Sequence, residues 1–90
     1  MFLAKVVGKV VSTTKDESLN GKKILVVAQT DMDGNLISDK KVVSIDSVGA
    51  GIGDQVLVTN GSVSAYPFEI TGNIAIDSAI VAIIDTIEKN

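Results

Sequence analysis

The chain has no cysteine, no histidine and no tryptophan, and its one proline is Pro67. Without Cys there are no disulfides. Without Cys or His there are no thiolate or imidazole zinc sites, and no Ser-His-Asp or Cys-His catalytic arrangement. The aromatics are Phe2, Tyr66 and Phe68 alone, too few for the stacking platforms that hold single-stranded nucleic acids. Positive charge is also scarce. Eight Lys and Arg stand against eleven Asp and Glu, for a net charge of −3. Phosphate backbones require the opposite balance. The longest strongly apolar run, Ala79 to Ile84, falls far short of the roughly 18–20 residues that span a bilayer. Lys5 and Lys9 interrupt the apolar opening, so it does not read as a secretory signal. The lack of Cys fits a reducing compartment. The expectation is a cytoplasmic chain with no nucleic-acid and no membrane partner.

What the chain does have is branched aliphatic side chains. Hydrophobic residues make up 46% of its 90 positions, a length that makes one domain, residues 1–90. A domain of this size has a thin core and commonly gains stability from disulfides, metals or partner subunits. Disulfides are excluded here, and oligomerisation is the aid that the apolar content supports.

Val and Ile fall in short runs punctuated by Gly, Asp, Asn and Ser, the pattern of strands and turns. Five runs stand out: Phe2 to Thr13, Lys22 to Thr30, Lys41 to Val48, Gln55 to Thr59 and Ile80 to Ile87. Thr14-Lys15-Asp16-Glu17 has capping-box spacing and predicts one helical turn between the first two strands. Asp33-Gly34, within Asp31 to Asp39, marks a hairpin. Gly49-Ala50-Gly51-Ile52-Gly53-Asp54 is a glycine-dense bend, and Ser62 to Ala65 suits a short helix that Pro67 ends. The last run is compatible with a buried helix by length, but its β-branched density favours a strand. Five short strands with one small helix predict an all-β fold, a small, partly open, five-stranded Greek-key barrel of the oligonucleotide-binding (OB-like) kind.

The strands are apolar on both faces. In the second, Ile24, Val26 and Ala28 oppose Leu25 and Val27; in the fourth, Val56 and Val58 oppose Leu57. In the fifth, Ile80, Ala82 and Ile84 oppose Val81, Ile83 and Ile87. A barrel has one interior, and monomers rarely expose large apolar patches. Neighbouring copies packed on the outer faces would account for the pattern; the competing reading is that the chain's own loops cover them. Leu25, Val27, Val81 and Ile83 are the interface candidates on the strands. Tyr66, beside Pro67, is either an interface anchor or packing over a barrel end.

No motif points to chemistry. Gly49-x-Gly51-x-Gly53 lacks the spacing and the following helix of a dinucleotide fingerprint, and reads as a tight bend. Asp31-Met32-Asp33-Gly34-Asn35 has the flavour of a calcium loop. Aligned on Gly34, it puts Gln29 and Lys40 at the first and twelfth ligand positions, both wrong. Asp46, Asp54, Asp77 and Asp85 sit at strand ends, where turn and cap roles are the default. We expect no catalytic residue, no metal and no cofactor. A barrel that binds an oligonucleotide or peptide is the alternative to a structural subunit.

Taken in order, several stretches resemble one family. They are Leu3 to Thr13, Leu19-Asn20-Gly21-Lys22-Lys23-Ile24-Leu25-Val26-Val27, and Ile45-Asp46-Ser47-Val48-Gly49-Ala50-Gly51-Ile52-Gly53-Asp54-Gln55-Val56-Leu57-Val58 with Gly61-Ser62 beyond it. Asp77 to Asp85 completes the set. The chain resembles the EutN/CcmL family of bacterial microcompartment vertex proteins over nearly all its length. The resemblance implies a non-enzymatic shell subunit that forms cyclic pentamers, with hexamers as the competing ring. Such rings cap the corners of carboxysome-like shells in the cytoplasm, alongside hexagonal facet proteins. It also suggests that Gly49, Ala50, Gly51, Gly53 and Asp54 lie near an interface or axial pore. The run Val63-Ser64-Ala65-Tyr66 departs from the family, which often has Arg shortly after the Gly-Ser turn.

Overall fold

Alternating Val, Ile and Ala positions build a five-stranded barrel whose ring of pairings is complete. The computed structural model describes residues 1–11, 23–60 and 78–88. The strands are β1 (Phe2–Val10), β2 (Lys23–Thr30), β3 (Leu36–Asp46), β4 (Gln55–Asn60) and β5 (Ser78–Ile83). Around the barrel the order is β1-β2-β3-β5-β4, and β4 returns to β1. The OB-like expectation therefore holds, with closure where a partial opening was expected. The seam between β3 and β5 is parallel and only two residue pairs long, Ile45 with Ala79 and Asp46 with Ile80. All other pairings are antiparallel.

Polar groups reinforce that short seam. Ser44 and Ser78 share a hydrogen bond of 2.5 Å in the interior, and the Ser47 hydroxyl donates to the Ile80 carbonyl at 2.7 Å. Thr59, also buried, has no partner for its hydroxyl among the described residues.

The core consists of Ala4, Val6, Leu25, Val27, Ala50, Val56, Val58 and Ile80, with Phe2, Val42 and Ile83 packed against it. Its side chains are small because a five-stranded barrel encloses little volume. Removing the Leu25 side chain beyond Cβ costs about 2–5 kcal/mol by the usual cavity scale.

Two bulges set which residues face inward. In β1 the register jumps between Val6, opposite Val27, and Gly8, opposite Val26. In β5, Val81 is the extra residue, because Leu57 and Val58 are opposite Ala82 and Ile80. This brings both Ile80 and Ile83 to the core, although simple alternation puts them on opposite faces. Gly8 likewise leaves the face of Ala4 and Val6. A side chain on it would meet Val26 at 3.5 Å.

Element boundaries differ from expectation most at two strands, while β1 ends earlier, at Val10, and β4 one residue later, at Asn60. β3 begins five residues earlier than the expected Lys41, because the hairpin turn is confined to Asp31–Asn35. β5 occupies Ser78–Ile83 instead of Ile80–Ile87; it is a strand, and not the competing helix. The predicted helical turn at 14–17 and the short helix at 62–65 lie outside the described residues.

Candidate functional site

The bend between β3 and β4 is the most tightly specified loop among the described residues. Asp46 ends β3 with its carboxylate turned back on the chain. Oδ1 accepts from the Val48 N–H at 3.2 Å, and Oδ2 accepts from those of Gly49 and Ala50, each at 3.0 Å. Lys23, its cross-strand partner at the start of β2, brings its ammonium to 3.3 Å from Oδ2 and also donates to the Ala50 carbonyl. An acidic residue at such a turn replaces the missing ladder bonds with side-chain ones. Its charge is buried but compensated, which is the condition for keeping it there.

The second half of the bend is held the same way. Asp54 Oδ2 accepts from the Gly51 N–H at 2.9 Å, and the Asp54 N–H donates to the Gly51 carbonyl at 3.0 Å. β1 then takes over. The Gly53 N–H donates to the Val6 carbonyl, and the Val6 N–H to the Asp54 carbonyl, both at 2.9 Å. These bonds continue the β1–β4 pairing one step beyond Lys5 and Gln55. Gly49 and Gly53 have φ of 82° and 96°, values that L-residues adopt at a cost.

The loop folds under the barrel and plugs it with Ala50, which is fully buried. Ala50 is thus a core residue and not an interface or pore residue. The same correction applies to Leu25 and Val27, which are 1% and 0% exposed inside the barrel. The outward residues of β2 are Ile24 and Val26 instead. Two equally apolar faces carry no mark of which is inside. The pairing of Leu25 and Val27 with inward Ser44 and Val6 decides it. Gly49, Gly51, Gly53 and Asp54 are brought together in the loop. Val81 is half-buried at its bulge, and Ile83 packs on the core. Tyr66 lies outside the described residues.

Sequence reading named Asp46 as a turn residue but not its bond to Lys23, and it missed the outer apolar strips. Leu3, Leu57 and Ala82 are consecutive cross-strand partners on β1, β4 and β5. All three are half-buried, while their neighbours Ala4, Val56 and Val58 are fully enclosed. Gly8, Val26 and Val43 form a second strip over β1, β2 and β3, and Val43 is 54% exposed. The signal for both strips was the double-faced apolar pattern; on β2 the wrong face was chosen as outer, and on β1 and β4 none was chosen.

At the other end, the hairpin between β2 and β3 is closed by Asp31. Its Oδ1 accepts from the N–H groups of Asp33 (2.8 Å) and Asn35 (3.0 Å). The Asn35 bond, more than any other, holds the Asp31 carboxyl below its ordinary range. Among the described residues there is no cluster of three or more His, Cys, Asp or Glu side chains able to hold a metal. No described helix is long and apolar enough to cross a membrane.

The likeness to known proteins covers the whole arrangement. The family profile described as "Ethanolamine utilisation protein EutN/carboxysome" matches residues 1–85. The shell vertex protein PduN of Salmonella typhimurium is 47% identical over 90 residues, covering 97% of this chain and 98% of the relative. The carboxysome shell vertex protein CcmL of Nostoc sp. PCC 7120 is 46% identical, covering 97% and 85%. The solved structure of GrpN, a pentameric microcompartment shell protein from Rhodospirillum rubrum, superposes with a TM-score of 0.84. It has 42% identity, and both chains are covered completely. On its sequence and its barrel, this chain is a member of the EutN/CcmL family.

Proposed function

We propose that the chain is a structural subunit of a bacterial microcompartment shell, assembling into a cyclic pentamer that occupies the shell's vertices in the cytoplasm. The observation that carries this reading is the end-to-end superposition on a pentameric shell protein, supported by vertex proteins at 46% and 47% identity. The role in this reading is architectural, in keeping with relatives that are shell vertex proteins. The relatives described are shell vertex proteins, which gives no support to an oligonucleotide- or peptide-binding module.

A five-fold ring closes through head-to-tail contacts between two different surfaces of each subunit. The barrel has two such surfaces. The strip of Leu3, Leu57 and Ala82 lies on one side of β1, and that of Gly8, Val26 and Val43 on the other. We assign these strips to the two halves of the subunit contact, with Val81 at the margin of the first. Gly49, Gly51, Gly53 and Asp54, with the exposed Ile52 among them, form the surface we assign to the axis. Hexagonal facet proteins are the proposed partners at the rim.

Native mass spectrometry of the purified chain tests the reading. A single species of five times the 9.4 kDa chain mass supports it; a monomer at micromolar concentration, or a six-fold species, contradicts it.

A further inference from the structure

Opposite the glycine loop, Phe2, Gln29, Ser38, Lys40, Val42 and Asn60 line a cavity of about 220 Å³ at the barrel's mouth. We propose that this mouth binds a small carboxylate with a short hydrocarbon part. The proposal does not depend on the ring.

The mouth exists because of an irregular pairing. Lys41 is opposite Ala28 and Leu36 is opposite Thr30, so four residues of β3, Ile37 to Lys40, face only Gln29 across the pair. Such a large bulge swings the strand outward, and bulges at barrel rims commonly redirect side chains. Here Ser38 and Lys40 are carried to the mouth.

The chemistry of the lining selects the ligand. Phe2 and Val42 pack on the core below and supply an apolar floor. Among the described residues, Lys40 is the one charged side chain in the lining, and none of them brings a carboxylate to the cavity. Gln29 and Asn60 add amide N–H donors and Ser38 a hydroxyl. The Ser38 Oγ already accepts from the Lys40 N–H at 3.1 Å, which leaves its proton free to donate. A single cation with neutral donors matches a monoanion better than a phosphate dianion, and the floor calls for carbon. Cavities near 150 Å³ hold a benzene-sized molecule, so this one suits roughly six to ten heavy atoms. It is below the usual size for drug-like ligands.

Titration of the ¹⁵N-labelled chain with sodium hexanoate, against sodium chloride of equal ionic strength and against hexanol, tests this. Saturable amide shifts at Phe2, Ser38, Lys40 and Asn60 with hexanoate alone are expected, with a midpoint in the millimolar range. Lys40→Gln should weaken binding at least fivefold, and Asn60→Ala should weaken it by a smaller factor. Light scattering on each variant separates this from any change in assembly. Shifts that match the chloride control, or hexanoate binding unchanged in both variants, overturn the proposal. Tighter binding of inorganic phosphate than of hexanoate also overturns it.

Discussion

The Lys23 ammonium lies 3.3 Å from the Asp46 carboxylate and also bonds to the Ala50 carbonyl, so one ion pair ties the start of β2, the end of β3 and the loop that plugs the barrel. Asp46 is the better buried of the two; its side chain is 3% exposed, against 37% for Lys23. The pair therefore contributes through the loop geometry it fixes more than through charge attraction.

Replacing Asp46 with Ala removes the acceptor of three backbone N–H bonds and leaves Lys23 unpaired. The expected loss is about 2–4 kcal/mol of folding stability. Lys23→Met should cost less, because the Asp46 carboxylate then still keeps its three backbone N–H donors. Urea denaturation of the three proteins gives the comparison, and equal losses for the two variants would contradict the hierarchy.

The loop glycines are separable by backbone angle. Gly53 has φ of 96°, and nothing lies within 4 Å of where its Cβ would be. The cost of Gly53→Ala is then conformational alone, about 1–2 kcal/mol. Gly51 has no positive φ and a Cβ contact of 4.0 Å at the nearest, so Gly51→Ala should be close to neutral. Thermal unfolding of both variants decides the matter. The reverse order would show that crowding, not backbone conformation, selects glycine here.

Asp31 predicts an acid-limb dependence. Its carboxyl is held below its ordinary value, first by the Asn35 N–H. Because the folded value lies below the unfolded one of about 3.9, this stabilisation is present above that pH. It is lost as pH falls through the folded value. Following the Asp31 carboxyl carbon by NMR should give a midpoint below that of an unstructured Asp peptide. Asn35→Pro, which removes the principal donor, should raise it.

Much of the fold was legible because β-branched runs and turn residues mark strands directly. The five strands, the hairpin at Asp31–Asn35 and the glycine bend all lie where local chemistry puts them. The inside of the barrel was not legible. Ile24 and Leu25 are equally apolar, and only the register against Val6 and Ser44 determines which is buried. Nor does the sequence around Val7 or Val81 announce a bulge, since an extra residue in a ladder is defined by the partner strand. These bulges change which residues of β1 and β5 face outward, whereas Leu25 and Val27 were misplaced because both faces of β2 are apolar, and Ala50 because a loop alanine carries no mark of entering the barrel. The early start of β3 has a similar origin. Leu36 to Lys41 is exposed throughout and lacks a buried face to mark it as strand.

The central claim is that outward aliphatic residues are covered by neighbouring copies, and Leu57 tests it most directly. It points away from the core between Leu3 and Ala82, whereas Leu25 lies inside. Light scattering with circular dichroism on Leu57→Asp should show a folded β protein at monomer mass beside a pentameric parent, while Leu25→Asp should fail to fold. A Leu57→Asp chain that stays pentameric would contradict the account.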